Sequence, residues 1–242
     1  MGKILICIDD TDNLESIGTG QLLEIICEEL KKEGLAEGGF VTRHQLLIHD
    51  DIPYTSHNSS MCCEATTHNL EKTICFAQSY LAEHSAEGSD PGLCVLDLEK
   101  KDDLSALMDF GKRAQREILK KEDAYVVAAS LTGTVYLSEH GGTGDGIIGA
   151  LAGVGLRLTG SDGRIKGKLF PVEGQELLSV QELCSHHHVD QVLSDDDTPL
   201  PQDAVVHFSE PAKAFLLDNK ITLKARREED GWHILAHKGR KK

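Results

Sequence analysis

Asp9, Asp10 and Asp12 fall within four residues of one another in the run Cys7-Ile8-Asp9-Asp10-Thr11-Asp12-Asn13. Carboxylates packed this closely repel one another, and a hard cation such as Mg²⁺ relieves the repulsion while bridging phosphate oxygens. Gly18-Thr19-Gly20 follows at once. Thr11 and Thr19 add hydroxyls, and glycine at 18 and 20 lets the backbone approach a ligand closely. The same residues also suit an acidic turn in which Asp12 or Asn13 caps the next helix. A second segment, Gly141-Gly142-Thr143-Gly144-Asp145-Gly146, precedes the apolar stretch Ile147 to Leu158. A glycine-rich loop entering a helix presents N–H groups that have no intrahelical partner, a natural anion seat, with Gly142, Gly144 and Gly146 at its close-approach positions. It lacks the spacing and lysine of a P-loop, so a flexible connection is the competing reading. Taken together, the acidic run would hold a cation such as Mg²⁺ through Asp9, Asp10 and Asp12 while the glycine loop receives phosphate oxygens, which points to a nucleotide triphosphate.

Other polar residues read first as ordinary surface. Arg43 and His44 have the chemistry to reach a phosphate but suit a strand surface. Asp50 and Asp51 suit a solvated turn. Adjacent histidines point in different directions on a strand or helix, so His186-His187-His188 reads as solvated. Cys62 and Cys63 fit opposite faces of a strand. Lys166 and Lys168 need no role beyond the surface, and Lys238-Gly239-Arg240-Lys241-Lys242 reads as a frayed basic tail.

The elements that must position the acidic run are readable around it. Lys3 to Ile8 is a short continuous apolar run, as in a strand buried on both faces of an open α/β sheet, whose carboxyl edge binds ligands. Leu22, Leu23, Ile25, Ile26 and Leu30 recur at helical spacing, and Gly34 supplies a stop. Phe40 to His49 and Ser60 to Thr66 read as strands. Asp50-Asp51-Ile52-Pro53-Tyr54 reads as a loop. Asn69 caps a helix to about His84 with Leu70, Ile74, Ala77 and Leu81 on one face. Asp90-Pro91-Gly92 is a turn into the strand Leu93 to Leu98, and Asp102 or Asp103 opens a helix carrying Leu104, Leu107, Met108 and Ile118. From Tyr125 β-branched and small residues resume. Past Pro171 a polar connector runs to residue 203, and a small β-rich module, with turns at Asn219-Lys220 and Asp230-Gly231, occupies residues 204–242. Alternating strands and helices make the class α/β or α+β.

A chain of 242 residues that is 40% apolar can bury a core as one large domain or two small ones. Its formal charge of −15 repels a phosphate backbone, which disfavours generic nucleic-acid binding. Seven cysteines without a C-x-x-C pair suit a reducing compartment. The apolar start is too short for a signal peptide and no run approaches a membrane span, so the cytoplasm is expected.

Several segments together resemble the archaeal tRNA agmatinylcytidine synthetases. That family has a strand ending in I-D-D-T-D followed by a glycine and a threonine that becomes phosphorylated; Ile8-Asp9-Asp10-Thr11-Asp12 and Thr19 match. Ile52-Pro53-Tyr54, Asp90-Pro91-Gly92 and Gly146-Ile147-Ile148-Gly149-Ala150-Leu151-Ala152 are similar to its I-P-Y, N-P-G and G-L-I-G-A-L-A segments, so the resemblance covers about residues 1 to 170. It implies a kinase-like α/β domain with an associated ferredoxin-like α+β domain, both within residues 1–170. It further implies ATP and Mg²⁺ at Asp9, Asp10 and Asp12, and Thr19 as the phosphate-accepting hydroxyl. Gly18 stands where that family has a cysteine, and Gly20 where it has a second threonine. Nothing after about residue 171 resembles its OB-fold and zinc-ribbon modules, which together with the acidic charge disfavours tRNA as the acceptor. The expected activity is an ATP-dependent kinase-like or ligase-like one with an unidentified acceptor; a nucleotide-binding regulatory module without turnover and an Asp-nucleophile phosphatase are the alternatives.

Overall fold

The computed structural model describes residues 1–53 and 57–237. Tyr54 and the basic tail from Lys238 to Lys242 lie outside the described residues. The chain forms two compact units, Met1–Thr159 and Gly160–Lys242.

In the first unit β1 (Gly2–Asp9) leads through the acidic loop into α1 (Thr19–Lys32), followed by β2 (Ala36–Gln45), β3 (Ser59–Thr67), α2 (Leu70–His84) and β4 (Gly92–Asp97). Helices α3 (Ser105–Ala114) and α4 (Lys121–Ser130), strand β5 (Val135–Glu139) and helix α5 (Gly146–Leu158) complete it. The strands order as β5-β4-β1-β3-β2, and every pairing is antiparallel. Strand β1 is therefore central, and its alternation splits the core. Ile4, Ile6 and Ile8 pack with Leu22, Leu23, Ile26 and Leu30 of α1 and Ala77 and Leu81 of α2. Leu5 and Cys7 pack on the other face with Leu107, Phe110, Ala150, Leu151 and Val154 of α3 and α5. Cys62 and Cys63 divide between the same two cores, as alternation along β3 requires.

The antiparallel pairing corrects the expectation of an open sheet with all carboxyl ends at one edge. Successive carboxyl ends alternate between edges, so the end of β1 lies beside the start of β4, with Asp9 opposite Gly92. The turn at Asp90-Pro91-Gly92 is thereby delivered to the acidic loop.

Strong local signals are realised as expected. Gly34 takes the left-handed conformation after α1, and Asn69 Oδ1 accepts the Lys72 N–H at 3.0 Å to start α2. Helix α3 stops at Ala114, leaving Ile118 exposed, and α4 covers the segment around Tyr125; Asp123 Oδ2 accepts the Lys120 N–H at 3.0 Å at its start. Helix α5 meets β1 along a glycine seam. A Cβ at Gly149 would lie 1.6 Å from Asp9 Oδ2, and one at Gly153 would lie 2.4 Å from Cys7 Sγ. Two helical glycines each weaken a helix by about 1 kcal/mol against alanine, and here they allow close contact of helix and strand.

The second unit holds β6 (Arg164–Ile165), β7 (Leu177–Ser179), α6 (Val180–His187), β8 (Gln191–Leu193), β9 (Val205–His207), β10 (Phe215–Leu217), β11 (Lys220–Glu228) and β12 (Gly231–Ile234). Its strands order as β6-β10-β11-β12-β9-β7, with β8 parallel to β11. Asp218 and Asn219 both have positive φ, the geometry of a tight two-residue hairpin. The stretch 171–203, expected as a polar connector, carries β7, α6 and β8. It supplies Leu178, Val180, Leu183 and Val192 to a core shared with Val206, Phe208 and Leu223. Ser179-x-x-Glu182 is the reason the helix forms there: Ser179 Oγ accepts the Glu182 N–H at 3.2 Å and Glu182 Oε2 accepts the Ser179 N–H at 2.8 Å. No helix among the described residues is long and apolar enough to cross a membrane.

Candidate functional site

The acidic loop is held by its backbone. Asp10 adopts a positive φ of 50°, which turns the chain out of β1. Its carbonyl accepts the Asp90 N–H at 3.1 Å, and the Thr11 carbonyl accepts the Ala86 N–H at 3.0 Å. Asn13 Oδ1 accepts the N–H groups of Glu15 and Ser16, each at 3.0 Å. That bonding makes a local turn, and the position before α1 belongs to Gly18, not to Asp12 or Asn13. Asp12 instead accepts the Thr19 hydroxyl through Oδ1 at 3.0 Å, so a carboxylate and the buried hydroxyl meet at the start of α1. Gly20 is buried within the first turn of that helix.

The charges of the loop are poorly compensated. Burial pushes the Asp9 carboxyl up to about 8, aided by the charges of Asp10 and Asp12 and opposed by a hydrogen bond from the Asp10 N–H. Burial likewise raises Asp10 to about 6, and Asp90, Asp12 and Asp145 add to the shift. The side-chain charges that shift these two groups are all carboxylates. At neutral pH Asp9 therefore holds a proton while Asp10 is mostly ionised. Thr11 Oγ1 is buried beside them without a hydrogen-bond partner, an orphan acceptor and donor that burial makes costly. Asp9, Asp10 and Asp12 are not a tight three-donor cluster: the one trio of described donors within 4.8 Å of one another lies in the second unit. Magnesium ordinarily takes one or two carboxylates and fills the rest of its shell from phosphate and water. Uncompensated carboxylates with an unpartnered hydroxyl fit a hard cation of that kind.

The glycine loop lies against this acidic face. Asp145 acts electrostatically on Asp10, and Asp9 touches α5 at Gly149. The expected anion seat exists, but a protein carboxylate sits in it. Asp90 accepts the N–H groups of Thr143 at 3.2 Å, Gly144 at 2.6 Å and Asp145 at 3.1 Å, together with the Thr143 hydroxyl. Gly142 and Gly144 both have positive φ, and a Cβ would meet Asp90 Cγ at 2.8 Å or Glu139 Oε2 at 1.9 Å, so a side chain at either place is strained and displaces Asp90 or Glu139. Gly146 packs against the Asp90 carbonyl at the first residue of α5.

Four residues here escape a reading of the sequence. Asp90 looks there like a turn residue only, and its role depends on the β1–β4 pairing. Lys121 Nζ donates to the Thr143 carbonyl and lies 3.6 Å from Glu139, to which the Tyr125 hydroxyl donates; that bond pushes Tyr125 up to about 12. These three brace the outer side of the loop. The other candidates stand elsewhere. His44 is fully buried, not at a strand surface: Thr42 Oγ1 donates to the Cys62 carbonyl at 3.1 Å, so its 2.8 Å contact with His44 Nε2 makes that nitrogen the donor. Arg43 reaches Ser59 and Gln45. Lys166, Lys168 and the three adjacent histidines belong to the second unit, where His187 stands edge-on to Phe208 at 5.2 Å.

No family model matches the chain. Over 163 residues, 64% of its length, it is 30% identical to the tRNA 2-agmatinylcytidine synthetase TiaS of Methanosarcina acetivorans, and it spans 36% of that protein. Its fold resembles that of apo TiaS, with a TM-score of 0.54 and 24% identity over 63% of this chain and 35% of that one. It also resembles TiaS in complex with an isoleucine tRNA and ATP, with a TM-score of 0.57 and 21% identity over 84% of this chain and 50% of that one. The chain is thus a distant relative of part of TiaS, spanning about a third of its length, with a mixed α/β fold built on a mostly antiparallel sheet.

Proposed function

We propose that the first unit is an ATP- and Mg²⁺-dependent phosphotransferase or ligase centre. The observation that carries this reading is an uncompensated carboxylate loop with the unpartnered Thr11 hydroxyl, set beside the glycine loop that enters α5. Relationship to part of TiaS, whose structure has been solved with ATP, supports it. In this reading the unit corresponds to the kinase-like part of that enzyme, with ferredoxin-like elements associated with it. Asp9, Asp10 and Asp12 would hold the metal through their carboxylates. When bound, Mg²⁺ neutralises the phosphate chain. Thr19, held by Asp12, offers its hydroxyl to the transferred phosphate. Thr11, Gly18, Gly20, Gly142, Gly144 and Gly146 line the nucleotide. The formal charge of −15 works against tRNA as the acceptor, so we assign the acceptor to a smaller molecule.

A second reading, nucleotide binding without turnover, is favoured by one observation: Asp90 occupies the donors a phosphate would need. An Asp-nucleophile phosphatase fits less well, because it leaves the glycine loop entering α5 without a role. Incubation with ATP and Mg²⁺ followed by product analysis separates the readings. AMP with pyrophosphate indicates a ligase, ADP a kinase, and unchanged ATP with measurable binding the second reading. Asp10→Asn abolishes turnover under the proposal, and hydrolysis at the wild-type rate in that variant would overturn it.

A further inference from the structure

The second unit contains a ligand set unrelated to the nucleotide reading. Strands β9 and β12 run parallel with His233 paired to His207, and cross-strand partners share a face of the sheet. Both imidazoles consequently leave the sheet on one side, stacked at 4.3 Å with 6° between the ring planes. The turn from β11 to β12 returns Asp230 to the same place: its Oδ1 lies 2.8 Å from His233 Nε2, and Glu228 Oε2 is 4.0 Å from that nitrogen. One donor atom from each of His207, Asp230 and His233 lies within 4.8 Å of the other two. Gly231, at φ 149°, leaves the space between them open, since a Cβ there would press on His207 Nε2 at 3.3 Å. Two of the three, His207 and Asp230, border an open cleft of about 400 Å³ whose other walls include Leu177, Val205, Arg227 and Trp232.

We propose that His207, His233 and Asp230 bind one divalent transition-metal ion of the zinc class. Two imidazoles and a carboxylate are a three-donor set that leaves a fourth position for water or a ligand. Imidazole selects zinc, copper or nickel over magnesium and calcium, so this site does not compete for the cation of the acidic loop. Only neutral imidazole ligates. An ion on His233 Nε2 therefore requires the tautomer that carries the ring proton on Nδ1, and the Nε2 contact with Asp230 gives way to bonds from both groups to the metal. The β9–β12 register fixes the two rings before any ion arrives, which lowers the ordering cost of closing the site.

The test is titration of the full chain with Co²⁺ as a spectroscopic probe, followed by displacement with Zn²⁺. The expected result is one saturable equivalent showing the visible ligand-field bands of a four-coordinate ion. Affinity should fall about tenfold or more in His207→Ala, His233→Ala and Asp230→Asn, and stay unchanged in His186→Ala, which alters the adjacent-histidine run instead. Absence of saturable binding by the wild type overturns the proposal, as does unchanged affinity in the three variants. Asp230 lies exposed in a turn, so Asp230→Asn decides the matter even where a histidine variant fails to fold.

Discussion

The raised carboxyl of Asp9 makes the stability of the first unit pH-dependent in a direction that can be worked out in advance. A carboxyl whose pKa rises on folding binds its proton more tightly in the native state, so stability is full below the unfolded value of 3.8. It then falls as pH climbs toward the folded value of about 8 and levels off above it. At 1.36 kcal/mol per unit, the whole window has a ceiling of about 6 kcal/mol. Between about pH 6 and about pH 8 the loss from Asp9 is about 2 kcal/mol, because its native form begins to ionise only near the top of that interval. Asp10, raised to about 6, adds a few tenths of a kcal/mol there, having lost most of its contribution already. For a unit of this size, about 2 kcal/mol lowers Tm by about 4–8 °C.

Asp9→Asn keeps the shape of the side chain and removes the titration. Calorimetry of wild type and variant in a metal chelator, at about pH 6 and about pH 8, measures the difference between their Tm shifts; histidines titrate in both proteins and cancel. The wild type should lose about 4–8 °C more than the variant. Mg²⁺ prefers the ionised loop, so it should raise the wild-type Tm more at the higher pH than at the lower. Equal pH slopes in the two proteins would refute the assignment of the strain to Asp9.

How far the sequence reaches follows from the range of each signal. The strand Lys3 to Ile8, the helix after Thr19, the Asn69 cap and the glycine loop entering α5 are encoded by neighbours a few residues apart, and the structure has all of them. Strand direction is not so encoded. An apolar run such as Leu93 to Leu98 reads the same whether it pairs parallel or antiparallel, and only the pairing of Asp9 with Gly92 places Asp90 in the glycine loop. The stacking of His207 and His233 likewise depends on the register of two strands brought together by the fold. His44 shows the same gap at one residue: its polarity suggests a surface, while alternation along β2 points it into the core and Thr42 supplies the partner that burial demands. The segment 171–203 differs, since Ser179-x-x-Glu182 is a local helix start, masked by the histidines and aspartates that give the stretch its polar character.

Two substitutions test how the loops are held. Gly149→Ala places a Cβ 1.6 Å from Asp9 Oδ2, forcing α5 from β1; denaturant unfolding should show a loss of about 1–3 kcal/mol despite the better helix propensity of alanine. Stability at or above wild type would mean that the seam is not close-packed. Asp90→Asn replaces a carboxylate that accepts three N–H groups with an amide whose NH₂ faces donors, so about 2 kcal/mol or more of stability should be lost and the Thr143–Asp145 amides should exchange faster. The Asp10 carboxyl should titrate below about 6, because Asp90 is the charge that raises it most. Nucleotide affinity decides what Asp90 is for. A carboxylate that competes with phosphate for the same donors predicts tighter ATP binding in the variant even as its stability falls, and opposite signs of the two changes cannot come from a scaffold defect. A fall in both would make Asp90 a structural brace and would remove the support that its position lends to binding without turnover.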